Sequence, residues 1–482
     1  MPVITNIHLL KYRRTKIVAT LGPASNSPET ISMLVDAGVN IFRLNMSHGD
    51  HQTHAQTYRY IREIAHNRKS PIGVLVDLSG PKMRTGRFEG GEILLVKGET
   101  VTVTVAKIKG KPGLIPSQYS DLVRDVIPGN RILLNDGALK LEVKSTTDQE
   151  ITCMVLAGGV LKDHKGINLP GVNVSAPSLT DKDILDAQFA LELGADFLAL
   201  SFVRKAADVQ QLRALIRNKG GSADIIAKIE KPEALENINE ILDVSDAIMI
   251  ARGDLGVELP PEEVPAAQDQ LIALAKAKGK PVIVATQMLE SMILAPTPTR
   301  AEVTDVSHAV NCGADAIMLS AESASGNFPI QSVEMMDRIA RRAEASQWKE
   351  GKWGADRTAS QETQSFSSSI ANATARISKD LMARGVFVIA PDRKSSIMVS
   401  SARPAAPIFA ITASDCDYRR LALLWGVIPV LMTDVEYLNA NGLARTIAGR
   451  LQLASPGDCI LLVSGFNDEP ALNAPSITAI TV

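Results

Sequence analysis

Lys228 and Glu230, two residues apart, close the apolar run Asp224-Ile225-Ile226-Ala227. The next such run, Asp246-Ala247-Ile248-Met249-Ile250, ends in Ala251-Arg252-Gly253-Asp254-Leu255-Gly256. On a β-strand, residues i and i+2 share a face, so Lys228 and Glu230 point the same way. If the two runs are neighbouring strands, one cation and two carboxylates, Glu230 and Asp254, converge at one end of a sheet. That set suits a divalent metal beside a phosphorylated anion. Gly253 and Gly256 lack the third glycine and the strand–helix setting of a dinucleotide fingerprint. Their expected role is to let backbone N–H groups approach a substrate carboxylate.

The elements that must hold these groups repeat. Apolar strand-like runs at 16–21, 41–45, 73–77, 197–201, 225–229, 247–251, 281–285 and 316–319 alternate with helix-like stretches. Continuous apolar runs suit parallel strands covered on both faces. Ala37-Gly38, Gly194-Ala195, Lys278-Gly279 and Gly313-Ala314 mark helix-to-strand joints, where a glycine supplies the left-handed cap. Eight strand–helix units predict a (β/α)8 TIM barrel, with an open doubly wound sheet as the alternative. The strand ends favour the barrel. Arg43, Asn45, Ser47, Asp77, Ser201, Lys228, Glu230, Arg252, Asp254, Thr286, Gln287, Ser320 and Glu322 would share the C-terminal rim where barrel enzymes keep their sites.

Between Gly80 and Pro177 the texture changes to short β-branched or alternating runs at 101–105, 131–134 and 139–143. A small all-β domain inserted at the rim is expected there, placed to act as a lid. A polar stretch near 347–366 reads as a linker, and strands at 386–390, 407–411, 428–432 and 459–463 predict a C-terminal open α/β domain. The expected division is barrel 1–80 and 177–346, lid 81–176, linker 347–366 and α/β domain 367–482.

Composition bounds the function. The 482 residues need more than one core. With 51 basic and 53 acidic residues the net charge is −2, and no like-charge block argues for nucleic acid or an anionic membrane. Tyr12-Arg13-Arg14-Thr15-Lys16 is followed by too short an apolar run for a targeting signal, and no run reaches membrane-spanning length. A cytoplasmic protein is expected. Cys153, Cys312, Cys416 and Cys459 are widely spaced and read as reduced core residues, with neither a disulfide framework nor a zinc site.

The motifs carry a resemblance. Arg14-Thr15-Lys16-Ile17-Val18-Ala19-Thr20-Leu21-Gly22-Pro23, Phe42-Arg43-Leu44-Asn45-Met46-Ser47-His48-Gly49, Gly80-Pro81-Lys82-Met83-Arg84-Thr85-Gly86 and Lys165-Gly166-Ile167-Asn168 stand in order. Ala227-Lys228-Ile229-Glu230, Ala251-Arg252-Gly253-Asp254-Leu255-Gly256, Ala285-Thr286-Gln287-Met288 and Met318-Leu319-Ser320-Ala321-Glu322 follow. Over nearly its whole length the chain resembles the pyruvate kinase family.

The resemblance implies phosphoryl transfer from phosphoenolpyruvate to ADP, chemistry that needs positioning and charge neutralisation above all. It implies Mg2+ (or Mn2+) on Glu230 and Asp254, and Lys228, Arg43, Gly253 and Thr286 at the substrate. Nucleotide contacts fall to Asn45, Ser47, His48, Arg84 and Lys165, and a proton relay to Thr286 and Ser320. A homotetramer is implied as well. A different Mg2+-dependent barrel enzyme acting on phosphoenolpyruvate, such as an aldolase or lyase, would share the metal rim but not need Arg84, Lys165 or a lid. In the last domain, Pro391-Asp392-Arg393-Lys394-Ser395-Ser396 opens a helix and could bind an effector phosphate, with a plain capped helix as the rival reading. The loop lacks the glycine of fructose-bisphosphate-responsive members, which points to a sugar monophosphate or AMP. Members that need K+ place it near the residues matching Asn45, Ser47 and Asp77. They have threonine where this chain has Leu78 and glutamate where it has Lys82, so K+ independence is expected.

Overall fold

The computed structural model describes residues 13–350, 366–389, 393–432, 440–467, 469 and 473–482. Eight parallel strands close a barrel in sequential order: Lys16–Thr20, Ile41–Asn45, Gly73–Asp77, Phe197–Leu200, Asp224–Ile229, Ala247–Ala251, Val282–Ala285 and Ala316–Leu319, the last pairing with the first. The expected barrel is present, and the open-sheet alternative is excluded by that closure. The strands read as unbroken apolar runs because their outward residues pack under helices while Val18, Ile41, Leu75, Phe197, Ile226, Met249, Ile283 and Met318 fill the interior. Gly38, Gly194 and Gly313 take left-handed backbone at helix C-termini, φ 109°, 80° and 99°. Thr180 with Asp183 and Thr299 with Glu302 form capping boxes that start the helices Asp181–Leu193 and Arg300–Cys312.

After the third strand the chain enters a separate all-β unit. One sheet holds Thr100–Thr104, Leu114–Pro116, Arg131–Leu134, Leu139–Thr146, Glu150–Ala157 and Ile167–Asn168, and a second pairs Glu92–Leu95 with Gly159–Lys162. Only three of these strands are visible as sequence patterns. Glu92–Leu95 and Gly159–Lys162 carry apolar Leu94 and Val160 at exposed positions, which hides the polar/apolar alternation, and Leu114–Pro116 and Ile167–Asn168 are too short for periodicity.

The C-terminal sheet runs Val427–Leu431, Ile408–Thr412, Val386–Ile389, Cys459–Ser464 and Ser476–Thr481. The last strand, unforeseen in the sequence, is antiparallel and caps the edge with alternating polar residues. This sheet's domain docks on the N-terminal ends of the barrel strands. Asp196, Asp224 and Asp315 stand at those ends. Arg419 reaches Asp196 at 2.8 Å, Arg393 and Arg420 reach Asp224, and Arg403 reaches Asp315 at 2.9 Å. Arg13, Arg14 and Lys16 are buried, with Lys16 Nζ donating to the Val427 carbonyl at 2.6 Å.

All four cysteines are free, but only Cys153 is a core residue; Cys312, Cys416 and Cys459 are half-buried, because they stand at element ends. No helix among the described residues is long and apolar enough to cross a membrane.

Candidate active site

The C-terminal ends of the barrel strands bring the expected cation and carboxylates together. Lys228 Nζ lies 2.9 Å from Glu230 Oε1, 3.3 Å from Asp77 Oδ1 and 2.7 Å from Ser201 Oγ. Arg43, on the second strand, grips the other Asp77 oxygen through Nε at 2.7 Å and NH2 at 2.6 Å, and reaches Thr20 Oγ1 at 3.0 Å. Four strands are thereby bound into one buried network, in which Lys228, Glu230 and Asp77 are 8%, 1% and 1% exposed. Lys228 and Glu230 form an interior ion pair.

Burial would depress the Lys228 ammonium, but Asp77 and Glu230 outweigh it and hold its pKa above the ordinary lysine value. Burial would raise the Asp77 carboxyl, but Lys228 and Arg43 hold it below the usual range. Glu230 behaves differently: burial pushes it up, Lys228 offsets part of that, and the nearby Asp254 carboxylate adds to the rise. Two carboxylates crowded this way ionise together when a divalent cation shares them. Their hard oxygen donors fit such an ion.

One cavity is lined by Arg43, Asn45, Ser47, Lys82, Lys228, Glu230, Asp254 and Thr286, with Asp77 beneath its floor. Thr286 has φ 71° and Gln287 φ 54°, left-handed backbone that is strained for a β-branched residue. Arg252 braces this turn by donating to the Thr286 carbonyl at 2.7 Å while paired with Asp305 at 2.6 Å. Gly253 N donates to Thr286 Oγ1 at 2.7 Å, so this N–H is engaged by the threonine in this conformation rather than held open for a substrate carboxylate. Ser320 stands on the neighbouring strand end, its N–H on Glu322 at 2.8 Å, and does not line the cavity.

A second cleft, between the inserted β domain and the barrel, adjoins the first, with Lys82, Phe202 and Asp254 lining both. Arg84 lines it, and Lys165 lies alongside, since Thr85 N donates to the Lys165 carbonyl across the two hinge segments. His48 is exposed at the rim. Partial burial together with Lys82, Arg84 and Arg43 lowers its pKa.

Ser201, Phe202 and Thr20 contact this network in ways the sequence did not reveal. Ser201 Oγ bridges the Leu78 carbonyl, 2.7 Å away, to Lys228, and Phe202 N donates to Glu230 Oε2 at 2.6 Å. Ser201 was recognisable as a strand-end hydroxyl. Phe202 acts through its backbone at φ 54°, and no side-chain pattern signals that.

In the C-terminal domain Arg393 is held by both Asp224 oxygens and by Asp417 at 2.9 Å. Lys394 is exposed, Ser395 and Ser396 are buried in the first turn of Lys394–Ser401, and Pro391 and Asp392 lie outside the described residues.

A (β/α)8 barrel with an inserted β lid, a C-terminal α/β domain and a lysine–carboxylate rim defines a phosphotransferase of the barrel-kinase type. The pyruvate kinase barrel-domain family model matches residues 12–333, and the pyruvate kinase alpha/beta-domain model matches residues 368–474. A pyruvate kinase of Agrobacterium vitis is 43% identical over 457 residues, 94% of each chain. Pyruvate kinase 2 of Synechocystis is 42% identical over 94% of this chain and 76% of its own. The crystal structure of a pyruvate kinase from Cryptosporidium parvum superposes with a TM-score of 0.90 at 36% identity, covering 99% of this chain and 98% of that one. The chain belongs to the pyruvate kinase family. Its reaction is accordingly phosphoryl transfer between phosphoenolpyruvate and ADP, with the divalent-metal dependence general to that family.

Proposed function

We propose that the buried Lys228–Asp77–Arg43 network is the phosphoryl-transfer machinery, with Glu230 and Asp254 holding Mg2+ (or Mn2+). The carrying observation is that Lys228 is kept charged in the interior while facing the same cavity as both carboxylates. The cation would neutralise phosphate charge. The P–O bond to the enolate oxygen of phosphoenolpyruvate breaks as a P–O bond to the ADP β-phosphate forms. Lys228 and Arg43 stabilise the charge shed onto the enolate and carried by the phosphoryl oxygens. The enolate then takes a proton at carbon, giving pyruvate. Thr286 lines the cavity and serves as the near member of a hydroxyl–water relay, with Ser320 behind it.

ADP is assigned to the cleft lined by Arg84, next to Lys165, Asn45, Ser47 and His48, where lid closure would exclude water. The domain limits proposed are 1–80 and 177–346 for the barrel, 81–176 for the lid and 367–482 for the α/β domain, joined by 347–366. The protein is further assigned to the cytoplasm as a homotetramer, which light scattering tests directly. The exposed Lys394 at the start of its helix supports an effector site for a sugar monophosphate or AMP, with Arg393, Ser395 and Ser396 around it. The effector reading fails if none of these ligands changes the apparent affinity for phosphoenolpyruvate, or if Lys394→Ala leaves the response intact.

The deciding experiment for the main reading couples pyruvate formation to lactate dehydrogenase. Turnover must require both ADP and a divalent cation. Pyruvate release without nucleotide would mean that the phosphoryl group passes to water and would overturn the kinase reading, whereas a lyase or aldolase would consume phosphoenolpyruvate with no dependence on ADP.

A further inference from the structure

On the outer face of the barrel, away from the rim, the helices Val264–Ala277 and Arg300–Cys312 bring three metal-ligating side chains together. Asp269 comes from the first, and His308 and Cys312, one turn apart on one face, from the second. Asp269 Oδ1 is 3.0 Å from His308 Nε2, and Cys312 Sγ is 3.4 Å from the same nitrogen. One ligand atom from each residue falls within 4.8 Å of the other two. Around a tetrahedral zinc with ordinary bond lengths, neighbouring nitrogen and oxygen ligands stand about 3.4 Å apart, and nitrogen and sulfur about 3.6 Å. The nitrogen–oxygen and nitrogen–sulfur pairs stand within tenths of an ångström of those edges, while the sulfur, which also lies 3.7 Å from His308 Nδ1, and the carboxylate are within 4.8 Å and close on each other as the side chains turn toward the ion.

We propose that Asp269, His308 and Cys312 form a surface site for a borderline-soft divalent cation of the zinc class, its remaining position open to water. Ligand chemistry separates this site from the rim. Imidazole and thiolate select zinc-like ions, whereas the carboxylate pair Glu230 and Asp254 suits Mg2+. Two further features favour occupancy. His308 and Asp269 are about half exposed, so an ion has a path in. Cys312 is the last residue of its helix, the end whose carbonyl dipoles attract a cation. Binding replaces the thiol proton, which passes to solvent, so that one S–H bond is exchanged for one S–metal bond. The widely spaced cysteines suggested no such site; the pair His308/Cys312 becomes legible once their helix is known and Asp269 is seen across from it. Asp305, one turn before His308, holds Arg252 and through it the Thr286 turn, so the clamped helix is also the one that braces the active-site rim.

Co2+ is the probe, because thiolate ligation gives a sulfur-to-cobalt charge-transfer band that oxygen ligation at the rim cannot produce. Among the described residues, no cysteine lines the rim cavity or the adjoining cleft. The full-length protein, freed of metal, should develop this band to one equivalent per chain, and Zn2+ should abolish it by competition. Cys312→Ala and His308→Ala should each lose the band, and Asp269→Asn should weaken Co2+ binding at least tenfold. In the parent, Zn2+ should also protect Cys312 from thiol-labelling reagents. A parent protein without the band at saturating Co2+, or a band that survives in Cys312→Ala, overturns the proposal.

Discussion

Lys228 is charged where a lone charge would be expelled. Its worth to the reaction follows from its partners, because Asp77, Glu230 and Ser201 hold the ammonium in one place at the cavity wall. Lys228→Met removes a preorganised cation from the site of developing enolate charge. It should lower kcat at least about 100-fold, about 2.7 kcal/mol of transition-state stabilisation. Steady-state kinetics, with circular dichroism to confirm the fold, check this; near-normal turnover would remove Lys228 from the machinery. Lys82 supports a second expectation. Its ammonium sits 2.8 Å from Ser47 Oγ, and the Leu78 carbonyl, the oxygen left after loss of the threonine hydroxyl, accepts from Ser201. A protein cation thus stands beside Ser47, one of the residues around which the resemblance implies a K+ site. Turnover in tetramethylammonium buffer should change less than about twofold on adding KCl, while Lys82→Glu should become K+-responsive. Strong K+ activation of the parent would refute this. The charged members of the site were legible because charge at the end of an apolar strand is conspicuous. Ser201 was legible as a rim hydroxyl but not its bridge to Lys228, and Thr20 and the Phe202 backbone were not legible at all, since these contacts depend on which strands become neighbours.

The eight barrel strands were readable because burial on both faces makes each an unbroken apolar run, and each expected run agrees with the structure to within a residue at either end. The lid was readable only as a change of texture. Its strands are half-exposed, so polar residues interrupt every run, and long-range pairing rather than local pattern decides the sheet. The antiparallel strand Ser476–Thr481 escaped notice for the same reason. Gly80, where the chain leaves the third barrel strand for the lid, joins the two kinds of element. Its φ is 65°, and an added Cβ would stand 2.6 Å from the Phe202 ring and 2.9 Å from Ser201 Cβ. Those two residues hold Glu230 and Lys228 in place. Gly80→Ala should therefore cost about 1–2 kcal/mol for the left-handed backbone alone, with more from the contact. It should also depress kcat, because relief of the clash displaces the Ser201–Phe202 segment. Urea unfolding with parallel kinetics is the measurement, and a variant matching the parent in both would show that the hinge has no such coupling.

Across the whole molecule, catalysis and docking occupy opposite ends of the same barrel strands. The fifth strand carries Lys228 near its C-terminal end and starts at Asp224, which Arg393 and Arg420 of the C-terminal domain grasp. Any ligand that moved the start of the Lys394–Ser401 helix would thereby pull on the strand bearing Lys228, the lysine proposed as catalytic. The first strand shows the same design from the other side. Its Lys16 is buried, and burial, reinforced by Arg13 and Arg14 and only partly countered by Glu344, lowers its pKa to about 7. The ordinary lysine value is about 10.4. Between the two, the unfolded chain binds a proton at Lys16 that the folded chain does not, so this residue makes stability rise with pH over that window. As pH falls through about 7 the folded state takes up the proton and the advantage is gone, leaving a buried charge whose bond to the Val427 carbonyl does not fully offset desolvation. Lys16→Met removes the titrating group. The stability of the parent minus that of the variant should therefore climb between pH 7 and 10, by at most about 1.4 kcal/mol per pH unit, and flatten below pH 7. Paired urea-unfolding curves at each pH, with the C-terminal domain present, give that difference. A flat difference across the window would mean that Lys16 stays protonated against Val427 and that the barrel–domain junction tolerates its charge.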